Sequence, residues 1–299
     1  MDKKDFLTKD RIIKGITDDG FFKVTVVKTT DVVKLAKEKH HLGLLATVVL
    51  GRALTGTMLL AAHLKGEERM RLTLQGNGPL ELMQAEANSV GEIRGFVKNP
   101  QAELDYSKNQ QISDGIGIGL LTVSKTLYNE AEPISGTVEL VNGNVSADIS
   151  HYLMQSEQIQ SAIHLDVAIG NDGEITAAGG VLIQALPGAP TDKIDIIQKN
   201  LTSMPQITDA FLSGEYIDDI LEEVVQPYKI KELDRYMVHF FCRCNKDRFK
   251  NALRLLNNED LVEISDTGQE LVCQFCNEAY HINKEEIEAI MAENKARMN

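Results

Sequence analysis

Residues 160–186 read "QSAIHLDVAIG-NDG-EITAAGGVLIQAL". Two apolar runs of strand length flank Asn171-Asp172-Gly173, a triplet rich in turn formers, so the stretch predicts a β-hairpin. Working outward, "RIIKGIT" and "FFKVTVVKT" flank Asp18-Asp19-Gly20 in the same manner. "RMRLTLQG" closes on the turn Gly76-Asn77-Gly78-Pro79. "LELMQAEAN" and "GEIRGFVKN" form a further strand pair, and residues 116–126 and 135–141 extend the sheet with Asn142-Gly143 as a turn. Helices are expected at 31–41, at 43–65 and over "VSADISHYLMQSE". Hairpins outnumber helices, so the expected class is α+β: a mostly antiparallel sheet domain with helices, over residues 1–190.

The 299 residues are 43% hydrophobic and carry a net charge of −13. That balance argues against nucleic acid or an anionic membrane as partner. The first twenty residues lack the apolar core of a signal peptide, which points to a cytoplasmic location. Residues 42–64 are apolar enough to raise the question of a membrane span. Arg52 stands near their middle, among Thr47, Thr55 and Thr57, with His63 near the end, and a charge at that depth is costly. A buried helix of a water-soluble domain is the expectation.

Residues 191–230 differ in character. Within 191–228 eight acids (Asp192, Asp195, Asp209, Glu215, Asp218, Asp219, Glu222, Glu223) face two lysines, Lys193 and Lys199. Ile194, Ile197, Leu201 and Met204, then Ile217, Ile220, Leu221 and Val224, recur at helical spacing. These are short acidic amphipathic helices, each with one face that must lie against something.

A third part, 231–299, holds every cysteine of the chain. "HFFCRCNKDRF" (239–249) carries Cys242 and Cys244, and "LVCQFCNEAY" (271–280) carries Cys273 and Cys276. Asn245 is placed to cap a helix over "KDRFKNALRLL". Asp266-Thr267-Gly268 reads as a turn, Cys273 and Cys276 as the tip of a hairpin, and Asn283 with Glu286 as a capping box. Two close thiol pairs separated by residues 245–272 supply the four ligands of a structural zinc site. His239 and His281 stand nearby as alternative ligands. A four-thiolate shell leaves no position for water, which argues against a zinc hydrolase or deaminase. Such a site is either a permanent staple or a redox trigger, since zinc keeps its ligands in the thiolate form that oxidants attack. "GIGIGL" (115–120) has Leu120 where a dinucleotide fingerprint needs glycine. No nucleophile, base and orienter stand together, so no enzyme is expected.

"CRCNKDRF" and "CQFCNEAY", in this order and separation, resemble the zinc motifs of the redox-regulated 33 kDa heat-shock chaperone family. The resemblance extends to "GNGPL", "GEIRGFVKNP", "YLMQSEQI" and "AAGGVLIQALPG" and spans nearly the full length. The charged lead before Arg11 is longer than usual for it. The resemblance implies an ATP-independent holdase that keeps unfolding proteins from aggregating. By matching position, Cys242, Cys244, Cys273 and Cys276 would bind one zinc ion in the inactive, reduced state. Oxidation would pair Cys242 with Cys244 and Cys273 with Cys276, release the zinc and unfold the C-terminal domain and the linker. The active form would be a homodimer whose partners are unfolded client proteins.

Overall fold

A computed structural model describes residues 9–298 apart from 129, 131, 266 and 267. The charged lead up to residue 8, and the first two residues of the expected turn at 266–268, lie outside the described residues. The fold is mixed α+β, in two compact units, Met1–Phe241 and Cys242–Asn299.

The larger unit has two sheets. The first runs in the order β10-β1-β2-β9-β8, with β1 Arg11–Thr17, β2 Phe22–Lys28, β8 Ser161–Ile169, β9 Ile175–Ala185 and β10 Ile230–Met237, all antiparallel. The second runs β11-β5-β4-β3-β6-β7, with β3 Arg69–Gly76, β4 Leu82–Asn88, β5 Glu92–Val97, β6 Gly119–Thr126, β7 Ile134–Glu139 and β11 His239–Phe240. It is antiparallel except for β11, which lies parallel to β5. The hairpins at 18–20 and 171–173 form as the turn residues require, and Gly20 and Gly173 both adopt positive φ.

Helix α1 is Thr30–His40 and α2 is Leu44–Ala61. Among the described residues, α2 is the one helix long and apolar enough to cross a membrane, with mean hydropathy 1.7, and 89% of it is buried. It packs between the sheets. Leu50, Leu54 and Met58 meet Ile12, Val27 and Leu182 of one sheet and Leu72, Met83 and Leu121 of the other. A helix covered on every side has no polar face to keep, which explains its composition. Thr55 and Thr57 return their hydroxyls to the carbonyls of Gly51 and Ala53, at 2.8 and 2.7 Å. Arg52 reaches Asp166 of β8 at 3.8 Å.

The first sheet is buried on both faces. Alternation sends Ile12, Val27 and Leu182 toward α2, and Ile13, Val24, Val26, Val181 and Ile183 the other way. That outer face is covered by α4 Thr191–Ser203, α5 Ile207–Ser213 and α6 Ile217–Glu223; α3, Val145–Gln155, precedes β8. The cover inserts Ile197, Leu201, Ile207, Ile217, Ile220, Leu221 and Val224, and Ile194 and Met204 pack at its margin. Lys193 pairs with Asp19 at 2.5 Å, and Arg235 of β10 pairs with Asp218 of α6 at 2.5 Å. Gly179 of β9 lies beneath Phe211 of α5: a Cβ there would come within 2.5 Å of the ring.

One expected boundary is corrected. The sequence places the start of the C-terminal domain at 231, but β10 pairs with β1 from Ile230 to Met237 with one register shift, Ile12 opposite Tyr236, and the larger unit runs to Phe241. The run "YMVHFF" is not a single strand. It breaks at Val238, whose N–H donates to the Asp10 carbonyl, and it continues as β11 beside β5, with Phe241 N donating to Ile93 O at 2.9 Å. Backbone pairing thus holds the segment in the larger unit.

Candidate metal centre

The smaller unit is built from α7 Lys246–Leu253, α8 Asn258–Ser265, the hairpin β12 Gln269–Val272 and β13 Ala279–Ile282, and α9 Lys284–Met298. Its core is small: Leu253, Leu261, Ile282, Ile287 and Ile290. Domains of this size commonly need a staple.

Local chemistry positions each thiol. Asn245 caps α7, accepting from Arg248 N at 2.9 Å, and this fixes the chain just after Cys244. Between β12 and β13 the chain turns tightly. Cys273 N donates to Glu278 O at 2.9 Å, and Asn277 N donates to Cys273 O at 2.7 Å. Asn277 takes the left-handed conformation (φ 57°) that asparagine tolerates better than most residues. The capping box opens α9: Asn283 N donates to Glu286, and Glu286 N to Asn283 Oδ1. Glu286 also clasps Lys246 at 2.6 Å and Lys250 at 2.7 Å, tying α9 to α7. Lys246 and then Lys250 hold its carboxyl down at about 2.

The four sulfurs lie within 4.8 Å of one another. Cys242 Sγ is 3.7 Å from Cys273 Sγ, and Cys244 Sγ is 3.3 Å from Cys276 Sγ. A tetrahedron with metal–sulfur bonds of about 2.3 Å has edges of about 3.8 Å, so the cluster has the size of a tetrahedral thiolate site. Cys273 and Cys276 are buried. Burial pushes both thiols up, and the neighbouring thiols raise Cys276 further. Four thiolates this close need a cation to offset their repulsion, so the donor set fits a metal ion. His239 and His281 are not part of the cluster.

Sequence reasoning missed two members of this environment. Tyr280 Oη lies 3.3 Å from both Cys244 Sγ and the Cys244 carbonyl oxygen, and its ring packs 5.1 Å from Phe249. The clasp on Glu286 was the other. Its signal was the i, i+4 pair Lys246 and Lys250 on one helix face.

Fold and site together define a class: an α+β protein of two units, the smaller gathering four thiols that could hold a metal ion. Comparison with known proteins narrows it. The family model described as Hsp33 protein matches residues 10–283. The 33 kDa chaperonin of Desulforamulus reducens is 33% identical over 287 residues, covering 95% of this chain and 97% of that protein. That of Thermus thermophilus is 36% identical, covering 95% and 87%. The crystal structure of the 33 kDa chaperonin (heat shock protein 33 homolog) of Thermotoga maritima matches with TM-score 0.89 at 32% identity, over 96% of this chain and 99% of that one. The chain belongs to the Hsp33 family.

Proposed function

We propose that this protein is an ATP-independent chaperone, a holdase for unfolding proteins, whose activity is switched by its four thiols. The observation that carries the reading is a four-thiol cluster of tetrahedral size in a unit whose own core is five side chains. Cys242, Cys244, Cys273 and Cys276 would hold one zinc ion, which when bound supplies folding energy and keeps the sulfurs as thiolates. A peroxide takes two electrons from each pair. One thiolate attacks the peroxide and becomes a sulfenic acid, and its neighbour then displaces water to close the disulfide. Short separation along the chain favours Cys242 with Cys244 and Cys273 with Cys276. Each disulfide removes two donors, and the unit loses the support its core cannot replace.

The larger unit offers a route for the signal. Cys242 follows β11 after a single residue, Phe241, and β10 carries the Arg235 that holds Asp218 of α6. Loosening residues 230–241 would free the acidic helices, the latch of the switch, and uncover Ile13, Phe22, Val24, Val26, Val181 and Ile183 for clients. In this reading residues 1–190 bind clients, 191–230 are the latch and the cysteine unit is the switch. Membership of the family supports unfolded proteins as partners. A homodimer as the active form, the cytoplasm as its place, and no membrane or nucleic acid as partner belong to the same proposal. Light scattering from a thermally unfolding client tests the function. Peroxide-treated protein should suppress the signal and reduced, zinc-loaded protein should not; equal behaviour of the two would overturn the switch.

A further inference from the structure

Helix α2 ends at Ala61, before the layer it fills between the two sheets is closed. Beyond it lies a cavity of about 190 Å³. Leu60, Met70, Val123, Leu153 and Ile159 supply its apolar wall. Strand alternation brings a lysine into it from each sheet. Lys23 shares the inward face of β2 with Thr25 and Val27, and Lys125 shares that of β6 with Val123. Inward strand positions next to a core are ordinarily apolar, and a lysine there needs a reason. Neither ammonium has an ion-pair or hydrogen-bond partner among the described residues. The cavity's one carboxylate, Glu157, already accepts from Tyr152 Oη at 2.7 Å. His63 stands 3.3 Å from the Thr25 hydroxyl. Burial, with Lys23 and Lys14, brings its imidazole down to about 4, so it is neutral at physiological pH.

We propose that this cavity binds a small organic anion, a carboxylate with a short apolar chain, its tail on Leu60, Met70 and Val123 and its head between Lys23 and Lys125. An apolar chamber with a few convergent polar groups is the usual form of a small-molecule site, and two unpaired cations select an anion. About six waters would fill the space, which sets the ligand at the scale of a six-carbon acid. At that size the affinity belongs in the millimolar range.

Methyl NMR of the full reduced chain, titrated with hexanoate, tests this, with hexanol and hexylamine as neutral and cationic controls. Hexanoate should give saturable shifts confined to Leu60, Val123, Leu153 and Ile159. Hexanol should bind about tenfold more weakly than hexanoate, K23M and K125M should each weaken hexanoate binding about tenfold, the worth of one charge-assisted hydrogen bond, and K108M, an exposed lysine outside the cavity lining, should not. The two lysines lie on different sheets, so one variant remains informative if the other misfolds. The His63 ring should also titrate at higher pH in the hexanoate-saturated protein, because the bound carboxylate offsets Lys23. Absence of saturable shifts, hexanol binding as tightly as hexanoate, or an unmoved His63 would overturn the proposal.

Discussion

Replacing Leu221 with Asp probes the latch where it is most exposed to perturbation. Helix α6 docks through Ile217, Ile220, Leu221 and Val224, all buried against the first sheet. Burying four such side chains stabilises by about 6–12 kcal/mol. Ordering the seven residues of the helix costs about 7–14 kcal/mol in backbone entropy. The two nearly cancel, so α6 stays docked only with help from its neighbours, the Arg235–Asp218 pair among them. Leu221→Asp removes about 2–3 kcal/mol of burial and adds the cost of a carboxyl group against apolar side chains, about 1–3 kcal/mol. A total of about 3–6 kcal/mol shifts the local opening equilibrium by roughly 10²–10⁴. Hydrogen exchange should show it at the Ile220 and Val224 amides, whose acceptors are Tyr216 O and Ile220 O. The variant should also suppress client aggregation while reduced and zinc-loaded. Unchanged exchange, with activity still dependent on oxidation, would show that α6 is not the latch.

Each of the four Cys→Ser variants should lose zinc at neutral pH, as read by metal analysis of reduced protein; full retention in any one removes that residue from the shell. Peptide mapping of peroxide-treated protein should find Cys242 linked to Cys244 and Cys273 to Cys276, whereas a dominant Cys244–Cys273 link would refute the pairing. Glu286→Gln should lower the melting temperature of the smaller unit. Because the native carboxyl is held at about 2, below its ordinary 4.5, its contribution is present above 4.5 and lost as pH falls toward 2. The gap between wild type and variant should therefore close over that window in circular-dichroism melts, and a gap constant with pH contradicts the clasp. Gly179→Ala places a Cβ 2.5 Å from the Phe211 ring and 2.6 Å from Val27 O, so it should speed exchange in α5 while leaving α2 protected.

The hairpins were legible because their turns carry a chemical signature: Asp18-Asp19-Gly20 and Asn171-Asp172-Gly173 stand between apolar runs. The thiol cluster was legible because ligand spacing is a property of the chain itself. The latch helices showed their apolar faces through periodicity, but nothing in residues 191–228 says what those faces meet. That depends on β1, β2 and β9 being apolar on both sides, and a continuous run such as "VTVV" does not reveal which side is which. β10 was hidden for the opposite reason. "IKELDRYM" is charged and mostly exposed, because it is an edge strand held by backbone bonds to β1 rather than by burial. Tyr280 and the Glu286 clasp depend on how α7, α9 and β13 meet, which local spacing does not encode.

The account rests on thiol chemistry in the smaller unit being transmitted to helices on the larger one. Hydrogen exchange followed by mass spectrometry, on the same protein reduced with zinc and then oxidised by peroxide, measures this directly. Oxidation should release the amides of 246–298 and of 191–224 together, while α2, Leu44–Ala61, stays protected between its sheets. Opening confined to 246–298 in protein that has become active would contradict it.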